Sequence, residues 1–118
     1  MNDAVRAVID SASEAWAAGH ADVFVDNYAA DATAILPGFT LIGRAAIRTA
    51  MAAAFDGPLK GTRRIHEVRS VRFLDDLTAI VITRSSTEPP AGTWSNATWL
   101  LSGRSGRWLV EAYHDCPA

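Results

Sequence analysis

The chain has 118 residues, 49% hydrophobic and 20% charged, enough to bury one core without staples or a structural metal, so a single domain over residues 1–118 is expected. A formal charge of −2, with 11 basic residues interspersed among 13 acidic ones, gathers no polyanion and excludes nucleic acid as a main partner. No apolar run reaches membrane-spanning length and no leader pattern opens the chain, so a soluble, cytoplasmic protein with no membrane partner is expected.

From the start of the chain, Val5, Val8, Ile9, Ala12, Ala15 and Trp16 recur at spacings of three and four, which predicts an amphipathic helix. Asn2 or Asp3 is its candidate cap, and Gly19 supplies a left-handed stop. A shorter helix is expected from Asp22 to about Ala29, with Val23, Phe24 and Tyr28 on its buried side. The period then changes. Residues 33–43 read TAILPGFTLIG, two apolar runs around Pro37 and Gly38, which predicts a small hairpin. From Arg44 to Phe55, Ile47, Met51 and Phe55 lie four apart, and Asp56, Gly57 and Pro58 end this third helix.

The second half reads as strands over residues 62–74, 77–87, 93–101 and 107–115, rich in Val, Ile, Thr and aromatics and separated by short polar turns. Short turns require antiparallel pairing. The expected class is α+β, three helices covering one face of a curved antiparallel sheet.

Cys116 is the lone thiol, so no internal disulfide forms, and no cysteine and histidine set has zinc spacing. No metal is expected. No Gly-rich nucleotide loop is present, and no cofactor is expected either. Ten of the 11 basic residues are arginine, which points to a GC-rich bacterial genome.

The order WAAGHADVFVDNYAADATAILPGFTLIGRAAI, then FDGPLKGTRRIHEVRSVRFL, and the closing GRWLVEAYHDCPA resemble the nuclear transport factor 2-like superfamily across nearly the whole chain. Within it the chain looks most similar to the SnoaL-like group that includes the SgcJ/EcaC family. The resemblance implies a cone-shaped α+β barrel, roofed by three N-terminal helices, that holds a small apolar molecule. It also implies a homodimer formed through the outer face of the sheet. It does not imply one chemistry, because this fold serves many tasks. Ketosteroid isomerases of the fold use a helix tyrosine, a carboxylate before the hairpin proline and a strand aspartate. Here Ala12, Leu36 and approximately Ala97 hold those places, so that isomerase reading is rejected.

By the same resemblance His66, Val68 and Ser70 point inward, as do Ile80, Ile82 and Arg84, and Ser95, Ala97 and Trp99. A single bulge would reverse any of these phases. On the last strand Tyr113 and Asp115 share one side and His114 and Cys116 the other, so YHDC is not a four-residue site. Trp108, Val110 and Ala112 share a side with His114, which favours His114 inside and Tyr113 and Asp115 outside. The opposite phase stays open.

The candidate catalytic residues are therefore His66 and His114, whose imidazoles suit acid/base work near neutral pH, and Arg84, a polariser of a carbonyl or enolate oxygen if it faces inward. Trp16 and Trp99 are candidate aromatic walls for the ligand, with Tyr28 and Ser95 as candidate polar contacts. The basic stretch of Lys60, Arg63, Arg64, Arg69 and Arg72 is read as a solvated outer surface. Two functions fit. One is an acid/base isomerase, cyclase, dehydratase or hydrolase of secondary metabolism acting on a polyketide-like substrate, and the other is a non-catalytic carrier of an apolar small molecule.

Overall fold

The computed structural model describes residues 2–118. The first helix, α1 (Asn2–Ala18), buries Val5, Val8, Ile9, Ala12 and Ala15 along one stripe. It ends where Gly19, at φ 70°, lets the His20 amide turn back to the Ala15 carbonyl. Helix α2 (Ala21–Val25) is only five residues long. The expected helical turn to Ala29 is lost because Tyr28 pairs with Val110 and the Asn27 carbonyl accepts from the Val110 amide at 2.7 Å. Tyr28 thus opens strand β1 (Tyr28–Leu36), a placement that suits an aromatic residue.

Strand β1 forms a hairpin with β2 (Phe39–Ile42), and Gly38, at φ 83°, adopts the left-handed conformation that the tight turn needs. Helix α3 (Arg44–Phe55) buries Ile47, Met51 and Phe55. An ion pair between Asp22 and Arg48 ties α2 to α3, and His20 stands at the α2 N-cap.

Strands β3 (Arg63–Asp75), β4 (Thr78–Glu88), β5 (Trp94–Ser102) and β6 (Leu109–Pro117) follow as an antiparallel meander. Each lies within two residues of its expected place. The six strands form one sheet in the order β2-β1-β6-β5-β4-β3. Two features differ from the expectation. The β1 and β6 strands pair in parallel, which makes the sheet mixed, and β2 and β3 remain edges, so the curved sheet does not close into a barrel.

All three helices lie against one face, α1 on β3 and α3 on β1 and β2. The sheet contributes Ala79, Val81, Ala97, Trp99, Leu101 and Val110 to the core, and the helices add Val5, Ile9 and Ile47. Burying each large aliphatic side chain stabilises the fold by roughly 1.5–3 kcal/mol. Among the described residues no helix is long and apolar enough to cross a membrane.

Bulges decide the facing of the strands. In β3 the register steps at Arg69, so His66 and Val68 face inward while Ser70, opposite Ile82, faces out. His66 lies opposite Ser85 and Glu67 opposite Arg84. Ala79, Val81, Thr83 and Ser85 are therefore the buried row of β4, and Ile80, Ile82 and Arg84 occupy the outer face, contrary to expectation. In β6 the register steps at Glu111, between the pairs Leu101 with Val110 and Leu100 with Ala112. Val110 and Tyr113 consequently both point into the core, Asp115 follows Tyr113, and His114 turns outward.

Candidate functional site

A cavity of about 420 Å³ lies between the helices and the inward face of the sheet. Its walls are mainly apolar. Trp16 from α1, Phe24 from α2, Tyr28 from β1 and Met51 from α3 meet Trp99 from β5, while Leu36, Pro37 and Phe39 of the hairpin form one side. Phe24 stacks on Tyr28 at 5.5 Å between centroids, with Trp16 edge-on to Phe24 at 6.2 Å. Such a surface suits a flat, uncharged ligand.

One end is polar. Arg64 of β3 donates to Asp115 Oδ2 of β6 at 2.9 Å, to Thr87 Oγ1 at 2.8 Å, and through longer contacts to Ser95 Oγ at 3.3 Å and the Tyr113 hydroxyl at 3.4 Å. The two charged side chains are only 11% and 12% exposed. A buried guanidinium is costly without an acid, and Asp115 supplies it. Asp115 Oδ1, by contrast, is buried and accepts no hydrogen bond among the described residues. Its carboxylate lines the cavity with one oxygen held and one free.

Two residues after Arg64 on β3, His66 packs edge-on against Trp99 at 4.9 Å, and Trp99 against Tyr113 at 4.6 Å. His66 Nδ1 lies 2.7 Å from Ser85 Oγ. Burial, and then the Arg64 charge, push the imidazole down to about 3, so it is neutral near physiological pH. Burial also holds the Tyr28 phenol well above its ordinary range. Burial pushes Tyr113 up to about 12, with the Arg64 and Asp115 charges acting in opposite directions. Both phenols therefore remain protonated donors. No group of three or more His, Cys, Asp or Glu side chains among the described residues is placed to hold a metal ion.

The sequence pattern of the SnoaL-like domain matches residues 5–109. The chain belongs to this family. The narrower SgcJ/EcaC grouping rests on the sequence resemblance alone. No curated protein matches the SnoaL-like domain described here by sequence. Among solved structures, a domain of unknown function with a cystatin-like fold from Nostoc punctiforme is similar at 26% identity and a TM-score of 0.89, over 99% of this chain and 76% of that one. An NTF-2 like protein of unknown function from Shewanella oneidensis aligns at 18% identity and 0.77, over 97% of both chains. A candidate scytalone dehydratase from Novosphingobium aromaticivorans aligns at 12% identity and 0.78, over 98% of this chain and 83% of that one. The last two likenesses show the fold and nothing more.

Of the residues singled out in the sequence, Trp16, Tyr28, His66 and Trp99 line the cavity of this SnoaL-like domain together. Arg84 does not reach it. Its guanidinium lies over the Trp94 ring at 4.2 Å on the outer face, 3.9 Å from Glu67, with 40% of the side chain exposed. His114 is exposed on the same outer face, opposite Thr98. Ser95 points inward, yet it sits behind the lining, accepting from Arg64 and donating to the Ser85 carbonyl.

Arg64, Thr87, Tyr113 and Asp115 are the polar lining residues that the sequence reading missed. A signal for Arg64 existed, since a residue two before an inward His66 shares its face. The signal for Tyr113 and Asp115 was the alternative phase of the last strand.

Proposed function

We propose that this SnoaL-like domain is an acid/base enzyme acting on a small, uncharged, largely apolar carbonyl compound of the polyketide type. Asp115 is the base. The observation that carries this reading is the free, buried Asp115 Oδ1 in an apolar cavity whose other carboxylate oxygen is fixed by Arg64. Such a carboxylate is poised to take a proton from carbon next to a carbonyl, or from a hydroxyl, without first giving up a protein partner. The Tyr113 hydroxyl accepts from Arg64 and keeps its own proton to donate to the oxygen on which negative charge develops. Proton transfer of this kind supports isomerisation, cyclisation or dehydration. The acid/base role that the sequence gave to the histidines passes to Asp115, because burial and the Arg64 charge leave His66 a poor proton acceptor and His114 lies outside.

A carrier function is the second reading. It is favoured by the apolar side chains Ala12, Leu36 and Ala97 at the three positions where the isomerases of this fold hold their reacting groups. A thermal-shift screen against flat, oxygenated ketones, followed by turnover assays on those that bind, separates the two, because a ligand of the folded state raises the melting temperature. For the enzyme, Asp115→Asn retains binding and loses at least about a hundredfold in turnover. Turnover that survives Asp115→Asn removes the assignment, and binding with no turnover in the wild type establishes the carrier.

We also propose that two copies pair through the outer face of the sheet, which carries Ile35 of β1, Leu100 of β5 and Ile80 and Ile82 of β4. Sedimentation of the wild type and Ile82→Lys tests this. A monomeric wild type refutes it.

A further inference from the structure

A line of hydrogen bonds runs beneath the cavity floor and ends at His66. Trp99 Nε1 donates to Thr83 Oγ1 at 3.0 Å, Thr83 Oγ1 lies 3.0 Å from Ser85 Oγ, and Ser85 Oγ lies 2.7 Å from His66 Nδ1. Thr83 and Ser85 are fully buried. An indole N–H can only donate, so Thr83 must accept from it and spend its own proton elsewhere. The Ser85 oxygen is the acceptor in reach. Ser85 then turns its proton onto His66 Nδ1. The opposite polarity would strand the Thr83 proton without an acceptor in a site closed to water, which buried hydroxyls avoid.

We propose that Trp99, acting through Thr83 and Ser85, fixes His66 as the neutral tautomer with its proton on Nε2, so that the cavity offers a ligand a fixed donor at His66, beside the Tyr113 hydroxyl, and a fixed acceptor at Asp115. The matching ligand is an uncharged enolisable ketone. Its oxygen accepts from His66 Nε2–H, and its acidic C–H faces Asp115 Oδ1. The ionisable groups that line the cavity with His66 are Arg64 of β3, Tyr28 of β1, and Tyr113 and Asp115 of β6. Arg64 is the one cation among them, and Asp115 already neutralises it. A carboxylate ligand would therefore bring a second negative charge to a buried acid, whereas a ketone would not. Burial and the Arg64 charge, which disfavour the imidazolium, act in the same direction as the relay. The ligand half of this inference rests on the acid/base reading of the cavity, and the tautomer half stands without it.

Long-range proton–nitrogen NMR of protein labelled at histidine nitrogen reads the tautomer directly, with His66→Gln assigning the signal among the three histidines. The expected result is an Nε2–H pattern for His66 that stays unchanged between about pH 5 and 8, where free imidazole titrates. Thr83→Val cuts the relay and is expected to give a mixture of tautomers. Ser85→Ala, which removes the Nδ1 partner itself, gives the same readout should Thr83→Val not fold. An Nδ1–H pattern in the wild type, an imidazolium at neutral pH, or a relay variant that keeps the pure Nε2–H pattern overturns the proposal. Adding β-tetralone is expected to move the His66 Nε2–H signal, while naphthoate leaves it in place. A signal moved by naphthoate, or by neither compound, overturns the ligand half alone, and the turnover of Asp115→Asn judges the acid/base reading separately.

Discussion

Trp99 and Tyr113 stand directly opposite each other on β5 and β6, with ring centroids 4.6 Å apart and planes at 73°. An edge-to-face pair contributes about 0.5–1.5 kcal/mol beyond its burial, and here it holds the last strand in the phase that brings Asp115 inside. Tyr113→Phe keeps the ring and is expected to change stability by no more than about 1 kcal/mol. Tyr113→Ala is expected to cost about 3 kcal/mol or more. Urea unfolding of the two variants checks both figures, and equal losses would mean that the hydroxyl, not the ring, fixes the strand.

The ion pair of Arg64 and Asp115 yields a sharper test. Asp115→Ala leaves a buried guanidinium without its acid, which is expected to cost about 3–5 kcal/mol. Replacing both groups, as Arg64→Met with Asp115→Leu, is expected to recover most of that loss, since two apolar side chains need no partner. Denaturation midpoints of the single and double variants give the answer. A double variant as unstable as the single would show that the neighbouring Thr87 and Ser95 contacts matter more than the charges.

Acid sensitivity follows from His66. Its folded value of about 3 lies below the ordinary imidazole value of 6.5. Above about pH 6.5 neither state carries the proton, and the stability associated with the neutral ring is complete. As the pH falls from there toward 3, the unfolded chain takes up a proton that the folded chain refuses. Stability is then lost at up to about 1.4 kcal/mol per pH unit. Urea unfolding across this range is expected to show a slope that His66→Gln flattens. An unchanged slope in the variant would assign the effect to other groups.

The outer face should be silent toward ligands of the cavity. Arg84→Ala gives up its contact with Trp94, worth about 0.5–1 kcal/mol, and His114→Ala removes an exposed ring. Both variants are expected to bind any cavity ligand as the wild type does, measured by the thermal shift that the ligand produces. Loss of that shift in either would place a binding site on the wrong side of the sheet.

The elements were readable because they are local. Val5, Ile9 and Ala12 recur at the helical period, Gly19 and Gly38 sit where the chain must turn, and each strand of the meander is bounded by its own turn residues. Trp16 and Tyr28 were legible for the same reason, although Tyr28 reached the cavity from a strand, while the inward facing of His66 and Trp99 came from the family resemblance. Facing was not legible across bulges. Arg69 and Glu111 look like ordinary strand residues, yet each shifts the register by one and exchanges the faces beyond it. That is why Asp115 and Tyr113 were expected outside and His114 inside. The parallel union of β1 with β6 also left no local trace, since it joins segments with no turn between them.

The last strand in sequence, β6, lies in the middle of the sheet, between β1 and β5. The meander from β3 to β6 joins neighbours in the chain and can zip up early. The seam of β6 with β1 unites distant segments, and such contacts form slowly because a long loop must first be closed. Tyr113 and Asp115 meet Arg64 within the meander, whereas Tyr28 and the hairpin wall of the cavity arrive with the seam. The acid is therefore in place before its enclosure is, and ligand binding should return in refolding no sooner than the slowest signal from the sheet. A half-assembled chain would hold a floor and a working end but no closed wall, and its chemistry would switch on only when the architecture is whole.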